Sequence, residues 1–155
     1  YYVLIHLPII DFTPYKVGAN IPEGMAYKDG VEIPPIHDFI FENETDNLTD
    51  TILQSDKVML IISVNLAESN LESFKEIKVL TDKAVQKGYK VFALSASSME
   101  DFQFLKEKYS LNFEMLWGDG TTLKTMIRAN PGIMTLEKGV IKGKWNVTDI
   151  QKVKI

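Results

Sequence analysis

The run VMLIISV at 58–64 is apolar at all but one position and rich in β-branched residues, which is how a strand buried on both faces of a sheet reads. It predicts the central strand. From Leu71 the period changes: Leu71, Phe74, Ile77, Leu80 and Ala84 recur at three- and four-residue spacing, with Lys75, Glu76, Lys78, Asp82 and Lys83 between them. That is an amphipathic helix, stopped near Gly88. VFALSA at 91–96 is a second buried strand, and strand, helix, strand in this order predicts a right-handed parallel β-α-β unit.

Beyond it, Ser97 followed by Glu100 fits a capping box, and Met99, Phe102, Leu105 and Tyr109 mark one face of a second helix. LNFEMLW at 111–117 alternates as a third strand. Asp119 is placed to cap a short helix, TTLKTMIRA at 121–129, whose apolar side is Leu123, Met126 and Ile127, and Pro131-Gly132 closes it. IMTLEKGVIKGKW at 133–145 reads as two strands joined by a turn at Lys138-Gly139, and Thr148 is the expected cap of a terminal helix packing through Ile150 and Val153.

Ahead of the central strand the pattern is less regular. Residues 1–24 carry Pro8, Pro14, Gly18, Pro22 and Gly24 without a sustained period and read as an extended tether. In MAYKDGVEIPP at 25–35, Asp29-Gly30 lies between short alternating segments, a hairpin signal, and HDFIFENETDNLTD at 37–50 reads as a short strand running into a polar loop. The whole predicts an α/β fold: a mixed central sheet flanked by helices in three layers, with an N-terminal hairpin extension, over residues 25–155.

Composition narrows the chemistry. A chain of 155 residues with 45% hydrophobic and 25% charged residues is one globular domain that needs no disulfide staple. Its net charge of -4, with no Lys/Arg cluster, leaves no electrostatic footprint for nucleic acid or an anionic membrane surface. Cysteine is absent, which excludes disulfides, a thiolate nucleophile and Cys-ligated zinc. No G-x-S-x-G, P-loop or G-x-G-x-x-G pattern supports acyl-transfer or nucleotide chemistry. The opening YYVLIHLPII is apolar but interrupted by His6 and Pro8, and is too short for a bilayer span of about 20 residues. It is compatible with the tail end of a span lying upstream.

This order of elements resembles the thioredoxin-like family, particularly its peroxiredoxin-like and membrane-tethered branches, over about residues 25–155. In that family the redox motif follows the buried strand at the head of the long helix, where the dipole and free N–H groups stabilise a thiolate. Laid on NLAESNLESF at 65–74, the resemblance puts Ala67 and Asn70 at the cysteine positions, to within about one residue. Thiol-disulfide exchange and peroxidase activity are therefore excluded. The family's cis-proline loop is matched by RANPG at 128–132, making Pro131 the candidate, although only about 5–6% of X-Pro bonds in folded proteins are cis. Such a loop frees the backbone of Asn130 to pair with an extended peptide. More narrowly, HLPIIDFTPYKVGANIP at 6–22 and DGTTLKTMIRANPGIMTLEKG at 119–139 resemble the soluble C-terminal part of DoxX-type membrane proteins of Bacteroidetes. That resemblance implies a membrane-anchored domain on the periplasmic side, with its own upstream membrane domain as a partner.

The candidate groove is thus Ala67, Glu68, Ser69 and Asn70 facing Arg128, Asn130 and Pro131. Its occupant is a peptide or protein segment if the domain is a binding or assembly module, which is the leading expectation; no cofactor is called for. The alternative is an enzyme of cysteine-independent chemistry using Glu68, Asp119 and Arg128; a third reading has the domain only stabilise its membrane partner. Each residue also has a plain structural role open to it. Glu68, Ser69 and Asn70 suit an N-cap, and Arg128 suits a helix C-terminus. His6 and His37 have no second ligand at metal spacing, and the acidic stretch Glu42, Glu44, Asp46 and Asp50 lacks the glycine and closing glutamate of a calcium loop. Trp117 and Trp145 end strands and are expected to pack the core or its rim.

Overall fold

β1 (Val58–Ile62) buries all five of its side chains, so the sheet that holds it must be covered on both faces and β1 must have a strand on either side. The computed structural model meets both demands. It describes residue 15 and residues 17–25, 39–43, 45–66, 71–127, 131–153 and 155. Around β1 these form, in chain order, α1 (Ile21–Met25), α2 (Thr49–Gln54), then a 3-10 turn (Leu71–Ser73) running into α3 (Phe74–Gln86), and β2 (Lys90–Ser95). After these come α4 (Met99–Tyr109), β3 (Glu114–Trp117), α5 (Gly120–Met126), β4 (Gly132–Glu137), β5 (Val140–Asn146) and a 3-10 helix (Val147–Lys152).

The five strands lie in the order β3-β2-β1-β4-β5. β1, β2 and β3 are parallel, with Val58 beside Lys90 and Phe92 beside Glu114; β4 runs antiparallel to β1, with Ile62 opposite Gly132. Alternation along β1 divides the core. Met59 and Ile61 pack with Phe74 and Ile77 of α3 and Phe102 and Leu105 of α4. Val58, Leu60 and Ile62 point the other way, onto Leu123 and Met126 of α5, Ile52 of α2, Ile21 of α1 and the rings of Phe39 and Phe41. Helices therefore cover both faces, giving the three layers expected. The β4–β5 turn also falls where expected, with Lys138 and Gly139 both left-handed (φ 49° and 80°), the conformation a two-residue hairpin turn requires.

Several local expectations are corrected. Part of the supposed tether belongs to the packed domain: Tyr15 and Ile21 are buried, and Gly18, Ala19 and Ile21 bond through their backbones to Ile141 and Gly139. The polar loop expected to 50 gives way to α2, which buries Ile52 and Leu53. α4 is capped by Ser98, not Ser97, its hydroxyl accepting from the Asp101 N–H. β3 pairs only from Glu114, and α5 ends at Met126, where Ile127 turns extended. The last helix is capped by Asn146 rather than Thr148. The hairpin expected at 25–35 begins in α1 at Met25 and otherwise lies outside the described residues.

One titration follows from this packing. Burial first, and then the Glu137 carboxylate, hold the Tyr89 hydroxyl above its ordinary value near 10. The folded state therefore keeps this proton longer than the unfolded chain, so the stabilisation is whole below about pH 10 and is lost as pH rises through the folded value. Tyr89→Phe is expected to lessen the alkaline loss of stability, read as urea midpoints at pH 9 and pH 11. Identical losses in variant and wild type would contradict the assignment.

Candidate functional site

Parallel β1, β2 and β3 all end at one edge of the sheet, and β4 begins there. Ligand sites of open α/β sheets form outside the carboxyl ends of the strands, where the chain crosses in opposite directions on either side of a central strand. Here that strand is β1. Because Ile62 pairs with Gly132, Pro131 stands beside the segment that leaves β1.

Hydrogen bonds continue past the strand ends and fix this edge. Ser63 N–H donates to Leu94 O at 2.9 Å and Ala96 N–H to Val64 O at 3.2 Å. Leu66 N–H then donates to the Ser97 hydroxyl at 2.9 Å, while Ser97 N–H donates to the Ser95 hydroxyl at 3.1 Å. The two serines thus tie the exit of β1 to the loop between β2 and α4, and Leu66 is buried beneath them. On the next strand Gly118 N–H donates to Ser95 O, and the exposed Trp117 indole N–H donates to Ala96 O at 3.2 Å. On the other side Pro131 is buried and its carbonyl accepts from Val147 N–H at 3.3 Å. Ile127 closes over the bare face of Gly132, where a Cβ would stand only 2.7 Å from its Cδ1.

Removing the Ser97 hydroxyl leaves the Leu66 N–H without its partner, a loss worth about 1 kcal/mol. Ser97→Ala is expected to lower unfolding stability by that amount and to speed hydrogen exchange at the Leu66 amide selectively. Uniform exchange rates along 63–66 would show that the hydroxyl does not hold this segment.

Of the expected groove residues, Pro131 is described and lies at the head of β4 beside the exit of β1. Ala67, Glu68, Ser69 and Asn70, and Arg128 and Asn130 with the peptide bond ahead of Pro131, lie outside the described residues, as do His6 and His37. Asp119 is the expected cap of α5, accepting from Thr121 N–H and Thr122 N–H at 3.0 and 3.2 Å. In the described part of the acidic stretch the Asn43 side-chain oxygen accepts from the N–H groups of Thr45 and Asp46, and Asp50 lies in the first turn of α2. Among the described residues no three His, Cys, Asp or Glu side chains gather to hold a metal, and every buried polar side-chain atom has a partner. On the described part of this edge Val64, Ala96 and Gly120 are half-buried, Gly118 and Pro131 are buried, and the Ser95 and Ser97 hydroxyls act as acceptors. Sequence reasoning passed over Ser95 and Ser97 as site-forming residues; the run Ser-Ala-Ser-Ser directly after a buried strand was the available signal.

No family model matches the chain, and no curated protein matches it. Solved structures do. A thioredoxin-like protein from Aeropyrum pernix superposes with a TM-score of 0.57 at 14% identity, covering 74% of this chain and 86% of that one. A secreted Mycobacterium tuberculosis disulfide oxidoreductase homologous to E. coli DsbE gives 0.52 at 14%, covering 70% and 83%. The bacterioferritin comigratory protein of Xanthomonas campestris, studied for alkyl peroxide reduction, gives 0.51 at 12%, covering 84% and 90%. At these identities the likeness is one of fold. With its five-stranded mixed sheet, helices on both faces and a proline at the head of the strand beside the central one, the chain has a thioredoxin-like α/β fold.

Proposed function

We propose that this domain is a non-redox binding or assembly module that holds an extended peptide or partner segment at the carboxyl edge of its sheet, between residues 66–70 and 129–132. The observation that carries the reading is a thioredoxin-like sheet edge, tied together through Ser95 and Ser97 and closed by Pro131, in a chain without cysteine. Without a thiolate neither disulfide exchange nor thiol peroxidase chemistry has a nucleophile. Adding a strand against the backbone near Asn130 requires none. Ala67, Glu68, Ser69, Asn70 and Arg128 would then set which side chains the groove accepts.

The context we assign it is extramembrane: a domain carried on the periplasmic side by an upstream membrane segment, with that membrane domain as its natural partner. Support comes from the sequence likeness of residues 6–22 and 119–139 to DoxX-type membrane proteins. No described helix is long and apolar enough to cross a membrane.

Titration of the isotope-labelled domain with a panel of extended decapeptides tests the binding reading. Amide shifts centred on Asn65, Leu66, Asn130 and Gly132 are expected for at least one sequence class. If these amides stay unmoved by every peptide, the groove has no such role.

A further inference from the structure

Glu42 and Trp117 exchange both backbone hydrogen bonds, Glu42 N–H to Trp117 O at 3.1 Å and Trp117 N–H to Glu42 O at 2.7 Å. They are a directly opposed antiparallel pair, so their side chains stand on one face with Cβ atoms about 5 Å apart. Both are exposed, Trp117 by 45%. The indole is held, not loose, because its N–H donates to Ala96 O. Strand parity puts Trp117 on the same face as Met115, the face covered by α4. On that face a depression of about 350 Å³ is lined by Met99, Phe102 and Met115 together with Asn43, Thr45, Gln103 and Glu114.

Carboxylates predominate beside this depression: Glu42 lies opposite Trp117, Asp46 follows Thr45, and Glu100 and Asp101 open α4. Lys106 of α4 is already paired with Glu114. A fixed indole face next to the Glu42 carboxylate, on the same sheet face as a partly apolar depression, matches a cationic side chain with an aliphatic stem. The ring attracts the cation, the carboxylate accepts its N–H groups and the lining takes the stem.

We propose that this edge docks an arginine-bearing segment of a partner protein, the guanidinium stacked on Trp117 and bonded to Glu42, its neighbours seated over Met99 and Phe102. Arginine fits better than lysine because its planar group stacks and bonds at once. The surface is separate from the groove at Pro131: β2 and β1 lie between β3 and β4, a distance of about 14 Å across three strand spacings.

The probe is the peptide acetyl-Gly-Arg-Leu-Arg-Gly-amide, with the same peptide carrying citrulline for arginine as its neutral control. The chain has two tryptophans, so each indole N–H signal reports one place. The arginine peptide is expected to shift the Trp117 indole and the Glu42 and Gln103 amides and leave the Trp145 indole in place, with binding weakened by salt. Trp117→Leu should weaken binding about fivefold and Glu42→Gln, which keeps both backbone bonds, about threefold, while Trp117→Tyr holds it within about threefold. Equal binding of the citrulline peptide would overturn the proposal in favour of a merely apolar contact. Shifts confined to Leu66 and Gly132 would overturn it in favour of the sheet-edge groove, and Trp117 shifts that follow protein concentration alone would replace the partner by a second copy of this chain.

Discussion

Ile61→Ala and Leu60→Ala are each expected to lower the free energy of unfolding by about 2–5 kcal/mol, and the similarity of the two losses is the informative part. The residues are neighbours on β1 but face opposite ways: Ile61 packs under α3 and α4, Leu60 under α1, α2 and α5. Both are at most 1% exposed. Truncating either leaves a cavity within a closed layer, where partial collapse recovers only some of the lost contact. A sheet with one face open to water would show one large loss and one below about 1 kcal/mol. Urea unfolding with unchanged m-values measures both; a small loss at Leu60 would mean that the short helices and the Phe39–Phe41 segment do not seal that face.

Gly118→Ala is the second large effect, an expected loss of about 1–3 kcal/mol from overpacking. A Cβ at Gly118 would stand 2.3 and 2.5 Å from two carbons of the Phe41 ring. That ring has no exit: it is fully buried and meets Phe39 edge-on at 4.8 Å. Glycine is thus required at the point where β3 ends and the chain turns toward Asp119, because the strand passes against an aromatic layer. Phe41→Leu vacates the space, so the double variant should be more stable than the two single losses predict, by a coupling of about 0.5–3 kcal/mol. Strictly additive losses would show that Gly118 and Phe41 do not meet as described.

How much of this was legible in the sequence depended on whether an element announces itself locally. β1, β2 and the amphipathic α3 did, since burial on two faces leaves an unbroken apolar run and burial on one leaves a 3.6-residue period. The hairpin turn did too, because Lys138-Gly139 combines a glycine with flanking alternation. α2 did not. Its six residues, TDTILQ, have no side-chain cap; the helix is held by burial of Ile52 and Leu53, with the Thr49 hydroxyl accepting from Phe41 N–H, a tertiary bond that no local pattern encodes. Residues 15–25 misled for the opposite reason. Pro22, Gly18 and Gly24 read as a tether, while Tyr15 and Ile21 are held only by lying against β5 and the aromatic pair.

At the site the same rule applies. Pro131 was legible because it follows a short helix and precedes a strand. Ser97 and Ser98 are adjacent and chemically identical, so local sequence could not tell the helix cap from the residue that reaches across to Leu66; a contact over 31 positions decided it. The pairing of Glu42 with Trp117 is likewise non-local and made the one exposed tryptophan look like a rim residue of no further consequence.

The claim that the carboxyl edge of this sheet is the binding surface has a direct test in isotope-filtered NOE spectroscopy of the labelled domain with the tightest binder from the decapeptide panel. Contacts from the peptide to Leu66, Pro131 and Gly132 are the predicted result. The opposite end of the sheet carries its own depression of about 460 Å³, lined by Ser55, Asp56, Lys57, Gly88 and Lys90 among others. Contacts there instead, or a panel with no binder at all, would contradict the account.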